Sequence, residues 1–406
     1  MARVVLGVAG GIAAYKSCEL LRRLMADGHS VRVVPTQAAL RFVGESTWSA
    51  LSGQPVTTEV WDDVEEVAHV RIGQEADLVI VAPATADLLA RAACGLASDL
   101  LGNVLLTAQC PVVMAPAMHT EMWRNPATAA NVATLRSRGV MVVDPADGRL
   151  TGADSGPGRL PEAAELAAIA ESVLAGGVPP RDLEGKRVLV SAGGTREMLD
   201  PVRFLGNRSS GKQGYALAAA ARDRGAHVTL VAANCALPDP AGVTVVPVVS
   251  AGQMQAAIND RLADELDAVV MAAAVADYRP AHTSEVKVKK SGTGLPSIEL
   301  VQNDDILAGL ADWREEAGRR LPVLVGFAAE TGDDHHSAID HARRKFVAKG
   351  ADLLVVNQVA DGVAFEVDTN SAVILSRDGE AEIPLGSKRR LAEAVWDAAV
   401  SLGAWD

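Results

Sequence analysis

Aromatic side chains are scarce: Phe, Trp and Tyr make up 3% of the 406 residues, although apolar residues reach 49%. A core must therefore be built from Ala, Val, Leu and Gly, the composition of helices packed on buried parallel strands, and collagen-like, coiled-coil and disordered readings drop out. Cysteine is rare as well. The four present, Cys18, Cys94, Cys110 and Cys235, form no Cys-x-x-Cys pair, so neither a disulfide framework nor a structural zinc site is signalled and a reducing, cytoplasmic setting is expected. Positive charge is in deficit: 38 Lys plus Arg against 51 Asp plus Glu leave a net charge of −13. No global field draws such a chain to nucleic acid or an anionic bilayer, and an anionic ligand needs a local pocket. Long hydrophobic runs are missing too. The longest uncharged stretch, Leu100–Thr120, contains Asn103, Gln109, Pro111 and Pro116, which argues against a membrane span. The opening MARVVLGVAGGIAAYK continues into the helical pattern KSCELLRRLMADG and reads as a strand and its turn rather than a leader.

What is present is a pattern used twice. Arg3–Val8 is a β-branched run followed by Ala9-Gly10-Gly11, a helix ending at Gly28 and a second strand; Arg187–Ser191 is followed by Ala192-Gly193-Gly194, a helix ending at Gly225 and another strand. Each repeat is a strand, glycine turn, helix, strand unit with a C-capping glycine. Short unbroken apolar runs at 78–82, 112–115, 140–143, 268–274, 323–327 and 353–356 read as parallel strands covered on both faces. The expected fold is α/β, two doubly wound, mostly parallel-sheet (Rossmann-like) domains at 1–175 and 186–406. The Gly-Gly and Pro-Pro pairs of 176–185 mark a linker. In such sheets ligands sit beyond the carboxyl ends of the strands, so chemistry is sought in the segments after each strand.

Gly10, Gly11 and Ile12 open a helix whose bare amides and dipole suit a phosphate. The Gly-x-Gly-x-x-Gly fingerprint is absent and the second strand ends in Val34-Pro35-Thr36 without an acid for a ribose, which disfavours NAD, while the Thr36 hydroxyl suits a mononucleotide phosphate. The bland reading, a turn that only lets strand and helix pack, stays open. His69 stands alone ahead of a strand, whereas PAMHTEMW puts Met, His, Met and Trp in a loop after one. In the second half GNRSSGKQ satisfies Gly-x-x-x-x-Gly-Lys, but Gln213 follows where a kinase P-loop has Ser or Thr. EVKVKK over 285–290 reads as an edge strand kept unpaired by lysines. Lys345 and Lys349 fall on one helix face, a solubilising surface by default. His335, His336 and His341 with Asp333 and Asp334 invite a metal reading that charged helix starts explain as well; the metal ligands are left unassigned.

GGIAAYK, His69, APATADLLARAACGLASDLL, APAMHTEMW and GPGRLPE, taken in order, resemble the flavin-dependent cysteine decarboxylase family, in particular phosphopantothenoylcysteine decarboxylases. The resemblance implies FMN, with its phosphate against Gly10, Gly11, Ile12 and Thr36 and its ring near Ala84, Thr85, Ala86, Asp87 and Ala117. It implies His69 as active-site base and His119 as carboxylate binder, although the family pattern has Asn at that place. The family's Ala-Cys-Gly-Asp clamp appears as Thr151-Gly152-Ala153-Asp154, so Gly152 stands where the proton donor would be and none is assigned. A flavin is the reasonable cofactor because a carboxylate on a saturated carbon has no electron sink until the neighbouring carbon is oxidised.

VSAGGTREMLDPVRFLGNRSSGKQGYALA, AAAVADYRP, KVKK, QNDDIL, VGFAAET and the lysine pair resemble phosphopantothenate–cysteine ligases from about residue 186 onward. That implies Asn207 at an acyl-cytidylate, Lys287 as a catalytic lysine that also contacts CTP, and Asp277, Asp304, Asp305, Ile306, Leu307, Phe327, Lys345 and Lys349 around CTP, with Mg²⁺ on the triphosphate. Decarboxylase followed by ligase on one chain resembles the bacterial bifunctional proteins of coenzyme A biosynthesis. The substrates implied are 4′-phosphopantothenate, L-cysteine and CTP, with no nucleic-acid or membrane partner. The resemblance also implies a homo-oligomer, trimers and dimers combining into a dodecamer. The different-class alternative is a ligase fused to a catalytically inactive, flavin-binding regulatory domain.

Overall fold

The computed structural model describes residues 1–58, 68–150, 154–288, 297–330, 338–358 and 369–405. The chain divides into two compact units, Met1–Pro180 and Arg181–Asp406.

In the first unit, strands β1 (Arg3–Val8), β2 (Ser30–Pro35), β3 (Leu78–Ala84), β4 (Val112–Pro116) and β5 (Met141–Val142) form one sheet in the order β2-β1-β3-β4-β5. All its pairings are parallel. The helices are α1 (Ser17–Ala26), α2 (Glu45–Ser52), α3 (Ala68–Glu75), α4 (Ala86–Cys94), α5 (Leu100–Thr107), α6 (Thr120–Arg124), α7 (Pro126–Ser137) and α8 (Ala163–Gly176), with a short 3₁₀ turn at Ile12–Lys16. Alternation along β1 shows why both faces need helices. Val4, Leu6 and Val8 pack with Leu20, Leu21 and Leu24 of α1 and Leu166 and Ile169 of α8. Val5 on the other face joins Leu88 and Leu89 of α4, Leu101 of α5 and Val132 of α7. Each such side chain contributes about 1.5–3 kcal/mol by leaving water; the cores are mainly aliphatic, with a single fully buried tryptophan in each unit's cluster, Trp48 in the first and Trp396 in the second.

The second unit begins with β6 (Arg187–Gly193) and carries β7 (Arg196–Met198), β8 (Phe204–Gly206), α9 (Lys212–Asp223), β9 (His227–Ala233), β10 (Thr244–Val248), α10 (Ala251–Leu262) and β11 (Ala268–Met271). It continues through β12 (Tyr278–Pro280), β13 (Leu300–Gln302), α11 (Ile306–Glu316), β14 (Val323–Glu330), α12 (Ala338–Lys349), β15 (Leu353–Gln358), β16 (Thr369–Ser376), β17 (Gly379–Ser387) and α13 (Lys388–Ser401). The main sheet runs β10-β9-β6-β11-β14-β15-β16-β17, parallel through β15 and antiparallel at the last two strands. Two antiparallel arms, β7–β8 and β12–β13, stand apart from it.

α9 and α13 cover one face of the sheet, α10 and α11 the other. The first pair is joined by a buried ion network: Asp223, 1% exposed in its side chain, lies between Arg222 and Arg389, while Arg224 reaches Asp182, Glu393 and Asp397. The mostly parallel, two-domain expectation agrees with these sheets. The edge-strand reading of EVKVKK does not: Glu285–Val288 form no strand, and the backbone of Val288 is held instead by side chains of a turn described below. Lys289 and Lys290 lie outside the described residues. No helix among the described residues is long and apolar enough to cross a membrane.

Candidate active sites

At the carboxyl edge of the first sheet, backbone hydrogen bonds draw the ends of β1, β2, β3 and β4 together. The Ala9 amide donates to Pro83 (3.0 Å), the Thr36 amide to Val8 (2.8 Å), the Ala117 amide to Ala84 (3.1 Å) and the Met118 amide to Gly158 (3.0 Å). Gly10 is there for packing, since a Cβ would lie 2.4 Å from the Ala38 Cβ. Gly11 differs: a Cβ there would meet only Thr85 Cγ2 at 3.7 Å, and the residue opens the 3₁₀ turn with extended backbone (φ −147°). The leading amides of that turn have no acceptor within it, and Ile12 beside them is 73% exposed. Thr36 is buried and its hydroxyl accepts from the Ala39 amide at 3.2 Å, which leaves its proton to donate. Thr85 caps α4 through Leu88, and Asp87 is turned aside into an ion pair with Arg91 at 3.0 Å. The cradle therefore combines open amides and a hydroxyl, and among the described residues Asp87, the carboxylate beside it, is turned away. Gly10, Gly11, Ile12, Thr36, Ala84–Asp87 and Ala117 all belong to this one edge.

His119 precedes α6, half exposed, with Nδ1 3.6 Å from Glu121 Oε2. Beside it the Thr120 hydroxyl is buried without a partner, packed against Gly156. Antiparallel bridges Ala146–Arg159 and Arg149–Ser155 fold the segment 146–159 back onto Met118–Thr120. Its tip, 151–153 with Gly152, lies outside the described residues. His69 stands in the first turn of α3, directly ahead of β3; its side chain lies outside the description.

The second edge is assembled by asparagines. Asn207 Nδ2 donates to the Val275 carbonyl (3.0 Å), Asn303 Nδ2 to Ala276 (2.8 Å), and the Asn303 amide to Asp277 (2.8 Å), so the loop after β11 is held from both sides. Gly194 permits this: a Cβ would fall 2.4 Å from the Asn207 carbonyl oxygen. Asn207, Arg208, Ser209 and Ser210 line an open cavity of about 520 Å³ with Gly194, Arg196 and Asn234. Asp305 caps α11 through the Ala308 amide and pairs with Lys349. Burial pushes its carboxyl up, but the hydrogen bond and charge of Lys349 and the charge of Lys345 prevail and hold it below the ordinary carboxylate value.

Ile306 is buried in the core and Leu307 packs against Gly326, so these two fix the start of α11 on β14, where Phe327 follows half-buried. Asp277 and Asp304 are exposed. The structure thus gathers Asn207, Asp277 and Asp304–Leu307 with Lys349, and brings the charge of Lys345 to bear on Asp305. Lys287 is exposed on a separate strap and makes no contact with them among the described residues. Sequence reasoning missed Asn234, Asn303, Asp200 and Arg203. Asn234 carries the signal of positive φ (51°) typical of Asn, and its amide donates to Gly194 and Val249. No group of three or more His, Cys, Asp or Glu able to hold a metal occurs among the described residues, and His335 and His336 lie outside them.

Comparison with known proteins follows the two units. A flavoprotein family model matches residues 1–174, and the model for the DNA/pantothenate metabolism flavoprotein C-terminal domain matches 183–402. A coenzyme A biosynthesis bifunctional protein of Mycolicibacterium smegmatis is 58% identical over 402 residues, covering 98% of this chain and 96% of that one. The chain belongs to this bifunctional family. Its Escherichia coli (strain K12) member is 41% identical over 404 residues, covering 98% and 97%. Among solved structures, the C-terminal domain of a family protein is 36% identical, covers 56% of this chain and all of its own, and gives a TM-score of 0.46. An FMN-dependent cysteine decarboxylase, SpaF, is 30% identical, covers 44% and 97%, and gives 0.38.

Proposed function

We propose that the two units run consecutive steps of coenzyme A biosynthesis. The second joins 4′-phosphopantothenate to L-cysteine using CTP, and the first decarboxylates the phosphopantothenoylcysteine formed to 4′-phosphopantetheine. The observation that carries the reading is the full-length likeness to bifunctional relatives, 58% and 41% identical across both units.

A free carboxylate resists an amine, so ligation needs an activated acyl group. The phosphopantothenate carboxylate attacks the α-phosphorus of CTP and pyrophosphate leaves; cysteine's amine then attacks the acyl-cytidylate carbonyl, and CMP leaves with loss of the amine proton. Lys345 and Lys349 supply the cationic wall that a chain of net charge −13 otherwise lacks, and Lys349 exchanges Asp305 for a phosphate oxygen. Asn207 steadies the acyl-cytidylate, and Asp277, Asp304, Leu307 and Phe327 surround the nucleotide. Lys287 offsets the charge that develops at the reacting phosphate. Mg²⁺ would enter with the triphosphate as part of the co-substrate, as is usual for this ion with nucleotide phosphates.

The first edge fits FMN because the Gly11 face is open, the Thr36 hydroxyl has a proton to give and Asp87 is turned away. When bound, the flavin supplies a reversible two-electron sink, which makes the α-carboxylate a leaving group. Gly10, Gly11, Ile12 and Thr36 would hold its phosphate, and Ala84–Asp87 with Ala117 would hold the ring. His69 takes the thiol proton. The His119 imidazole donates to the carboxylate in place of the family's Asn.

Full chain incubated with phosphopantothenate, cysteine, CTP and Mg²⁺ is expected to release pyrophosphate and CMP and then CO₂. Pyrophosphate without CO₂ would restore the alternative of an inert flavin-binding unit, and release of neither would refute the proposal. The trimer and dimer contacts implied for the two units predict a high-order homo-oligomer, which light scattering reads directly.

A further inference from the structure

The LDPVRF segment after β7 supplies none of the residues used above, yet it contains the most heavily hydrogen-bonded carboxylate near the second site. Asp200 is fully buried. Its Oδ1 accepts the Val202 and Arg203 amides, both at 2.9 Å, and its Oδ2 accepts Arg203 Nε (3.0 Å), Arg203 Nη2 and the Val288 amide (3.2 Å). The same guanidinium donates to the Val288 carbonyl at 2.9 Å. Both backbone groups of the residue after Lys287 are therefore gripped by one Asp–Arg pair. Upstream, the Ser284 amide donates to Leu199 (3.0 Å) and the Thr283 hydroxyl to Met198 (3.1 Å). The strap 283–288 is fastened to the turn 198–203 at both ends, with the Lys287 side chain exposed between the fastenings.

A turn alone does not need this. An Asn or Ser would cap Val202 and Arg203 without taking a carboxylate fully out of water, a burial justified only when its remaining lone pairs are used. Here they are used on the strap. We propose that Asp200, acting with Arg203, is a positioning residue for ligation: it fixes Val288 so that the Lys287 ammonium is delivered to the reacting phosphate instead of sampling the reach of a free strap. The inference rests on the ligase reading of Lys287. Holding a catalytic group in place acts on the rate of the chemical step more than on nucleotide affinity.

Asp200→Asn tests it in the full chain, because the amide NH₂ then faces the donors of Arg203 and Val288. Hydrogen exchange of the Val288 amide is expected to speed by about tenfold or more. kcat for CTP-dependent pyrophosphate release is expected to fall about tenfold or more while the KM for CTP moves less than about threefold. In a Lys287→Gln background the same substitution should cost less than about twofold further, the mark of residues acting in series. Arg203→Lys, which keeps the charge but loses the fork, should give a smaller loss of the same kind and covers the case in which Asp200→Asn lowers the unfolding midpoint.

A purely structural role predicts equal fold losses in both backgrounds, and that result would overturn the proposal, as would an unchanged Val288 exchange rate. If the unaltered chain released no pyrophosphate, the ligase reading would fall, while the exchange measurement would still decide whether Asp200 holds the strap.

Discussion

Alanine at Gly10 and at Gly11, introduced separately, distinguishes packing from ligand binding at the first glycine turn. At position 10 the new Cβ would stand 2.4 Å from the Ala38 Cβ and 2.9 Å from the Ala38 carbonyl carbon, whereas carbon atoms rest at about 3.5–4.0 Å. The turn after β1 and the loop after β2 must then part by about 1 Å, and overpacking of that kind costs about 1–3 kcal/mol. Thr36 rides on the displaced loop, so flavin binding weakens along with stability. At position 11 the methyl meets only Thr85 Cγ2 at 3.7 Å, on extended backbone. Stability should stay within about 0.5 kcal/mol of the parent. The methyl nevertheless fills the open face of the cradle, and FMN affinity should fall about tenfold or more, equivalent to about 1.4 kcal/mol. Urea midpoints of the apo-protein and FMN titration by flavin fluorescence read the two effects. Parental FMN affinity in Gly11→Ala, or a parental midpoint in Gly10→Ala, would refute the reasoning.

Three further outcomes follow from the same geometry. Lys349→Gln leaves Asp305 without its ion-pair partner and removes the phosphate contact proposed for Lys349, so the KM for CTP should rise about tenfold in steady-state ligation assays; an unchanged KM would remove Lys349 from the nucleotide site. Asp223→Ala leaves Arg222 and Arg389 buried beside an emptied position, and the second unit should lose about 3–5 kcal/mol in urea melts. Burial alone raises the Asp223 carboxyl, but Arg222 and Arg389 hold it below its ordinary value. Its contribution is thus present above the unfolded carboxylate pKa of about 3.9 and is lost as pH falls through the lower folded value, so parent and variant midpoints should converge only in that acid range. Thr120→Val removes a buried hydroxyl that has no partner among the described residues and should stabilise the first unit by about 1 kcal/mol in urea melts; a lower midpoint would mean the hydroxyl is satisfied in solution.

The parallel strands were legible because a strand covered on both faces is an unbroken apolar run, as in Leu78–Ala82 and Ala268–Met271, and because Gly28 and Gly225 take the positive φ that ends a helix. β10 and β17 were not. β10 holds Pro247 in a half-exposed edge, and β17 reads Gly-Glu-Ala-Glu-Ile-Pro with mostly exposed side chains, so neither has the buried-strand signature. The arms β7–β8 and β12–β13 are three residues a strand, too short for any periodicity to register. At the sites, Gly11 and Thr36 stand in loops after parallel strands, where the fold rule already points, whereas Asn207 and Asp305 follow the short arms β8 and β13 and were named only through the ligase resemblance. Asp200, Asn234 and Asn303 each reach a backbone group 27 or more residues away, at Val288, Gly194 and Ala276, and local spacing holds no trace of such partners. Lys287 shows the converse: its lysine-rich run imitates an edge strand, and only its fastening to a distant turn reveals a strap.

Carboxyl-labelled cysteine supplied with phosphopantothenate, CTP and Mg²⁺ to FMN-loaded full chain examines the serial scheme most directly. Labelled CO₂ should follow pyrophosphate after a lag and reach one equivalent for each pyrophosphate released, with none when CTP is withheld. Pyrophosphate accumulating while the label stays in phosphopantothenoylcysteine would contradict the claim that both halves of this chain are working enzymes.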